Sequence, residues 1–277
     1  MKFLPALAFS LFAATTLLAA EPKPLKILLI TGGCCHDYVT QKDILKSGLD
    51  ARANVVIDHV HSPDKSTKPP LAIYGNPAYA QGYDLILHDE CSAGIEDPAV
   101  IAGVLQPHLD GIPGVNLHCA MHSYRFGNFK EPLAPGAENG KWYEYLGLHS
   151  TGHGPQEPID LTYVDPAHPI TKGLANWTTI KEELYNNIQI LTGHALARGR
   201  QTAKLKDGTM KESETVVAWT NEYGPKKTRV FSTTIGHNNA TVEDARYLDL
   251  VTRGILWATG HLQDDGTPAA GYGPGGK

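Results

Sequence analysis

The stretch KILLIT at Lys26–Thr31, followed at once by Gly32-Gly33, decides the fold. A short unbroken apolar run that stops at glycines is the pattern of a strand buried on both faces and running into a loop. Working outward, Asp43–Asp50 reads as a helix and NVVIDHV at Asn54–Val60 as a second strand. YDLILH at Tyr83–His88 is a third strand, ending in Asp89-Glu90. Pro98–Leu109 reads as a helix with Pro98 in its first turn, and GVNLHC at Gly114–Cys119 as a fourth strand. Strands that alternate with helices predict an α/β domain with a mostly parallel sheet and right-handed crossovers.

Beyond the fourth strand the pattern changes. Residues Phe126–Pro158 are rich in Gly, Pro and aromatics and read as a long ordered excursion of the kind that covers a site. Strand character resumes at Ile159–Val164 and continues at Glu182–Ile188, Thr215–Thr220 and Arg229–Thr234. The last two are joined by a turn around Tyr223-Gly224-Pro225. Leu248, Val251 and Ile255 recur at helical spacing in a closing helix, Val242–Thr259. The Gly- and Pro-rich segment Gln263–Lys277 reads as a flexible tail.

At the other end, Lys2 precedes an apolar or small-residue run from Phe3 to Ala19, and Leu18-Ala19-Ala20 stands before Glu21-Pro22. This reads as a signal peptide cleaved near Ala20, with an uncleaved anchor as its alternative. The organisation expected is residues 1–20 as signal, 21–262 as one α/β domain and 263–277 as tail. The mature protein is then periplasmic or secreted, with no membrane span of its own. Hydrophobic residues make up 42% of the 277 and charged ones 19%, with a formal net charge of -5. That composition suits a globular enzyme and excludes a nucleic-acid partner, which would require a basic face. It leaves room for a homo-oligomer. Four cysteines, Cys34, Cys35, Cys91 and Cys119, are too few for a disulfide scaffold. Their places at strand ends suit either a bridge from the Cys34-Cys35 pair to Cys91 or Cys119, or small buried thiols.

In an open α/β sheet, ligands bind beyond the carboxyl ends of the strands. His36 follows the first strand, His118 ends the fourth, His153 sits in a Gly-rich segment, and His237 follows Arg229–Thr234. Other histidines, His59, His61, His108, His194 and His261, lack such a setting and read as surface or packing residues. Neutral imidazole ligates transition metals and titrates near neutrality, so the four invite metal binding or proton transfer. Cys119 could instead be a nucleophile at a strand-to-helix elbow. The elbow wants small neighbours, and His118 and Met121-His122 are not small. Thr31-Gly32-Gly33 lacks the glycine spacing and the lysine of a phosphate loop. Glu183, beside Tyr185, is a candidate general base or metal ligand.

With these pieces in order, the sequence resembles the trehalose-utilisation, or ThuA-like, family over about Leu25–His261. The resemblance is carried by the loop ending in His36, by Gly114-Val115-Asn116-Leu117-His118, and by Leu146-Gly147 leading to His153. It continues through His168-Pro169-Ile170-Thr171, Glu183-Leu184-Tyr185, Arg229-Val230-Phe231 leading to Gly236-His237, and Arg253-Gly254-Ile255-Leu256-Trp257-Ala258. It implies a three-layer, flavodoxin-like fold similar to class I glutamine amidotransferases, without their cysteine in its catalytic role. It also implies a part in disaccharide breakdown through 3-keto sugars. The chain departs from the family in Cys34-Cys35 and in His122-Ser123-Tyr124-Arg125.

The leading expectation is an enzyme that cleaves or converts a 3-keto glycoside by removing the proton next to the ketone. A divalent metal such as zinc would be held by His36, His118, His153 and His237. Glu183, His118 and Tyr185 would be catalytic, and Trp142, Tyr143, His122, Arg125 and Asn238 would contact the sugar. The alternatives are a non-catalytic sugar- or partner-binding module and a metal-dependent ester or amide hydrolase.

Overall fold

Strand β1, Leu25–Gly33, lies second from one edge of a nine-stranded sheet, and its side chains sort by parity. Ile27 and Leu29 face a core shared with Leu45 and Leu49 of helix α1 (Tyr38–Asp50) and with Leu248, Val251 and Ile255 of helix α5 (Ala245–Ala258). Leu28 and Ile30 point the other way, onto Leu71, Tyr79 and Ile86. Each such side chain contributes roughly 1.5–3 kcal/mol by leaving water, so the strand is fixed from both sides. The computed structural model describes residues 22–205 and 207–276. The segment read as a signal peptide lies outside the described residues. No helix among them is long and apolar enough to cross a membrane.

Strand β2 is Val55–Ser62, β3 Leu85–Cys91, β4 Gly114–Leu117 and β5 Leu148–Tyr163. Strand β6 is Trp177–Ile190, β7 His194–Lys204, β8 Met210–Tyr223 and β9 Thr228–Thr233, and a short helix α4, Asn239–Val242, stands between β9 and α5. Their order across the sheet is β2-β1-β3-β4-β9-β8-β7-β5-β6. Helix α2, Pro98–Leu109, starts at an Asp97 cap whose side chain accepts from the Ala99 amide at 2.8 Å. It packs with the short helix α3, Lys141–Leu146, on the face opposite α1 and α5.

The sheet corrects the expectation of a mostly parallel architecture. Ladders from β2 to β9 are parallel, and those from β9 through β8, β7, β5 and β6 are antiparallel, with longer strands. The fold is therefore α/β with a mixed sheet flanked by helices. The cause is the absence of crossover helices after β5, because antiparallel neighbours need only short turns. Strand β7 was not legible as a strand. Its inward positions are Ala197, Gly199, Gln201 and Ala203, which are small or polar and give a weak alternating signal. The supposed excursion ends at Gly147, where α3 turns directly into β5.

Residues 263–276, expected to fray, fold back instead. Tyr272 stacks on His261 at 3.6 Å, and its carbonyl accepts from the Asn54 amide at 3.1 Å.

His108, read as a surface or packing residue, is a packing residue in a buried polar chain. Its Nδ1 donates to the Ile112 carbonyl at 2.7 Å, its ring stacks on Tyr145, and its Nε2 lies 3.1 Å from His88 Nε2. His88 Nδ1 in turn meets Glu90 Oε1 at 2.9 Å, which also accepts from Tyr74 and Tyr124. Burial, and then the neighbouring His88, lower the His108 pKa to about 3. The unfolded imidazole protonates near 6.5, so between pH 6.5 and 3 the unfolded state binds the extra proton and stability falls on acidification. Urea unfolding at a series of pH values should show this loss, with His108 contributing up to about 1.4 kcal/mol per pH unit. The His108→Gln variant should show a flatter slope, and an unaltered slope would assign the acid sensitivity elsewhere.

Candidate functional site

Strand β4 stops at Leu117, and the chain then turns sharply into a 3-10 segment, His118–His122. His118 takes the turn at φ +40, a left-handed conformation that non-glycine residues adopt only at a cost. The elbow considered for Cys119 thus belongs to His118, which it presents at the carboxyl edge of the sheet. Cys119 is buried and bonded to Cys91, so it offers no free thiol for nucleophilic attack. His118 Nδ1 donates to the Thr234 carbonyl at 2.6 Å, which leaves Nε2 as the nitrogen with a lone pair.

His36 sits in the loop between β1 and α1. The loop starts at Gly33, where φ is +99 and a Cβ would collide with the Cys91 carbonyl, so β1 and β3 approach as closely as only glycine allows. It ends at Asp37, which caps α1. His237 lies in the loop after β9. Glu182, fully buried, grips that loop by accepting from the amides of Gly236, His237 and Asn238 at 3.4, 3.0 and 3.3 Å. Gln41 of α1 donates to the carbonyls of Gly236 and His237 at 3.3 and 3.0 Å.

These three supports bring His36, His118 and His237 together. One ligand atom of each lies within 4.8 Å of the others. His36 Nδ1, His118 Nε2 and His237 Nδ1 are buried without a hydrogen-bond partner among the described residues. Three orphaned imidazole nitrogens at one point are a donor set suited to a borderline metal ion such as zinc. For His237 the fit requires its other nitrogen to be the protonated one. Gln156 Nε2 lies 2.8 Å from His237 Nε2 and 3.4 Å from Glu183 Oε1; turning the amide over would bring its oxygen to His237 to accept that proton. The Glu183 carboxylate adds negative charge, 3.3 Å from His237 Nδ1 and 3.5 Å from His118 Nε2.

The electrostatics divide the cluster. Burial, and then repulsion from His118 and His237, lower the His36 pKa to about 2, so its nitrogen stays a neutral donor. Burial pushes the Glu183 carboxyl up, but contacts with His118 and His237 and the nearness of His153 outweigh it and hold it well below the usual carboxylate range. Contact with Glu183 raises His237. Burial, reinforced by Arg125, depresses His122, which stacks flat on Tyr185 at 4.2 Å and bonds Ser150 Oγ through Nε2 at 2.9 Å. The Tyr185 hydroxyl is raised well above its ordinary value by burial and by Glu183 and Glu182, and stays protonated.

The remaining candidates fall in different places. His153 is outside the histidine triad: its Nδ1 donates to the Gly154 carbonyl at 2.9 Å and lies 3.5 Å from Glu183 Oε1, with the side chain 43% exposed. Arg125 and His122 line a pocket of about 410 Å³ with His153, Glu183 and Tyr185. Asn238 lines a larger cleft of about 950 Å³ with His36 and His237. Trp142 and Tyr143 are corrected. Both are buried in the core around α3, where Trp142 Nε1 donates to the Ala120 carbonyl and Tyr143 stacks on His149, so neither contacts a ligand in either cavity. Their indole and phenol bulk fills the space between α3 and the sheet.

Sequence reasoning gave no role to Glu182, Gln156 or the Asp37–Asn239 pair, whose carboxylate and carboxamide meet at 2.8 Å on the rim of the cleft. A usable signal existed for Glu182. Adjacent residues of a strand face opposite ways, so Glu182-Glu183 had to place one carboxylate on each face. The cysteines also pair differently from the expected bridge: Cys34 with Cys35, and Cys91 with Cys119.

The family model described as ThuA, trehalose utilisation, matches residues 27–258. A ThuA-like protein from Parabacteroides merdae superposes with TM-score 0.60 at 22% identity, covering 89% of this chain and 97% of the other. A ThuA-like protein from Bacteroides uniformis does so with TM-score 0.56 at 15% identity, covering 87% and 96%. A glutamine amidotransferase from Thermotoga maritima matches at TM-score 0.42 and 11% identity, over 85% and 96%. No curated protein matches the sequence.

Removing the Glu182 carboxylate should strand three backbone donors and free the His237 loop. The Glu182→Ala variant is expected to lose on the order of 3 kcal/mol in chemical denaturation and to speed hydrogen exchange at the amides of Gly236, His237 and Asn238. Unchanged exchange at those amides would show that the loop holds His237 without this clamp.

Proposed function

The chain belongs to the trehalose-utilisation family, ThuA, and on that premise we propose that it is an enzyme converting or cleaving a 3-keto glycoside at the cleft over His36, His118 and His237. The observation that carries the reading is the convergence of three partnerless buried imidazole nitrogens beside one carboxylate. The cleft above them is large enough for a disaccharide. It is lined by hydrogen-bonding groups, among them Asp37, Asp64, Lys65, Lys181 and Asn239, that suit a hydroxyl-rich ligand.

A ketone at C3 acidifies the C2 proton, and its loss gives an enolate that can expel the substituent at C1. A divalent ion held by His36, His118 and His237 would polarise the ketone oxygen when bound. The proton itself must go to a side chain. Glu183, expected as the base, is a weak one because its pKa is held so low. Its place against His153 Nδ1 gives it another task. With Nδ1–H donating toward Gly154 and Glu183, His153 keeps a lone pair on Nε2 and takes the proton, and Glu183 steadies the imidazolium. Arg125 supplies a fixed positive charge in the smaller pocket, which also holds His153 and shares Cys35 and His36 with the cleft, and the protonated Tyr185 hydroxyl can donate a hydrogen bond to the departing oxygen. The apolar segment Phe3–Ala19 supports export, with the reaction then taking place in the periplasm or outside the cell.

The test is metal analysis of the purified protein followed by turnover of a 3-keto disaccharide. His118→Ala and His237→Ala should lose metal and at least about 100-fold in kcat. His153→Gln should keep the metal and lose a comparable part of kcat with little change in KM. Undiminished turnover in both alanine variants, or sugar binding with neither metal nor product, would sink the proposal.

A further inference from the structure

The four cysteines stand around one point, although they come from three separate segments. Cys34 and Cys35 lie in the loop after β1, Cys91 ends β3, and Cys119 follows β4. They form two disulfides, Cys34–Cys35 and Cys91–Cys119, and the two bridges touch: Cys34 Sγ lies 3.5 Å from Cys91 Sγ. Their exposures differ sharply. Cys35 is exposed and opens on both the large cleft and the pocket of about 410 Å³ and Cys34 is partly exposed, whereas Cys91 and Cys119, at the wall of that smaller pocket, are only 2% and 6% exposed. Arg125 lines that smaller pocket together with the four cysteines. Two bridges used only as staples have no need to touch sulfur to sulfur, nor does one of them need to span adjacent residues at the mouth of a cleft.

We propose that the four cysteines form a thiol–disulfide exchange centre, in which the exposed Cys34–Cys35 pair passes reducing equivalents from a dithiol in the cleft to the buried Cys91–Cys119 pair. The external dithiol first reduces Cys34–Cys35 and leaves as its own disulfide. The Cys34 thiolate then attacks Cys91 Sγ. The Cys34–Cys91 bond forms, the Cys91–Cys119 bond breaks, and Cys119 departs as a thiolate that takes up the proton lost by Cys34. Next the Cys35 thiolate attacks Cys34 Sγ, which re-forms the adjacent-residue bridge and releases Cys91 as a thiolate that is protonated in turn. In total one dithiol becomes one disulfide, and Cys91–Cys119 becomes two thiols, a transfer of two electrons and two protons. The centre adjoins the imidazole cluster, since Cys35 precedes His36 and Cys119 follows His118. It does not depend on the sugar chemistry proposed above.

The experiment uses the full chain with dithiothreitol as the probe. Samples are quenched in acid, unfolded, alkylated and mapped by peptide mass. In the unaltered protein Cys91 and Cys119 should become alkylated soon after Cys34 and Cys35. In the Cys34→Ser/Cys35→Ser variant their reduction should slow at least tenfold, because the buried bridge has lost its exposed entry. An unchanged rate overturns the proposal. A second variant, Cys35→Ser, removes the resolving thiol at an exposed position away from the core. It should yield a Cys34–Cys91 bridged peptide and an alkylated Cys119, and the absence of that bridged peptide also overturns the proposal.

Discussion

The carboxylate of Glu182 is fully buried, and its charge is held by the backbone amides of Gly236, His237 and Asn238. A buried anion requires such donors, since desolvation without them costs several kcal/mol. The contact joins two parts of the sheet that are remote in strand order. Strand β6 is the outermost strand of the antiparallel half, and the His237 loop leaves β9 at the junction with the parallel half. For Glu182 to reach that loop, the antiparallel half must curl over the carboxyl edge of the parallel half. The rest of the site depends on this closure. The strand that buries Glu182 on one face presents Glu183 on the other, against His118, His153 and His237.

The same closure sets the chemistry of the imidazoles. His36, His118 and His237 each have one ring nitrogen facing a small, desolvated volume, and in that setting a proton on His36 is strongly disfavoured. Oriented nitrogens next to a carboxylate are what a metal ion requires, and here a backbone carbonyl and a side-chain amide position two of the three rings. The Thr234 carbonyl fixes the tautomer of His118, and Gln156 sits at the outer nitrogen of His237. His153 differs in kind. It is half exposed at the pocket wall and touches the same carboxylate, which gives a proton-accepting group a separate position from the ligand set.

The two halves of the sheet therefore divide the labour. The parallel half supplies three strand ends, two of which carry a histidine flanked by cysteine, Cys35-His36 and His118-Cys119. The antiparallel half supplies the carboxylates and the wall formed by His153, Gln156 and Tyr185. The sulfur cluster lies beneath the parallel edge, where the glycine at position 33 lets β1 and β3 close together. Imidazoles and sulfurs are neighbours because both crowd the same strand ends, which is where an α/β sheet places loops that are free to diverge.

Much of this was legible along the chain. KILLIT, YDLILH and GVNLHC announce buried strands because each is an apolar run of strand length stopped by a turn or a polar cluster. The strand-end rule then singles out His36, His118 and His237. The parity of Glu182-Glu183 also follows from strand geometry alone. Other features had no local signature. Trp142 and Tyr143 look alike in sequence whether they line a pocket or fill a core, since aromatic side chains serve both and only the docking of α3 decides. Strand β7 was illegible because its small and polar inward residues blur the alternation, so of the antiparallel half only the turn joining β8 to β9 announced itself. Which cysteine joins which depends on distances between three segments. Sequence determined the elements and the residues at their ends, because those are set by periodicity and turn chemistry within a few neighbours. The curl of the antiparallel half, the choice of His153 as an outlier to the triad and the pairing of the sulfurs were decided only in three dimensions. Each depends on packing between residues tens of positions apart, which no short window of the chain encodes.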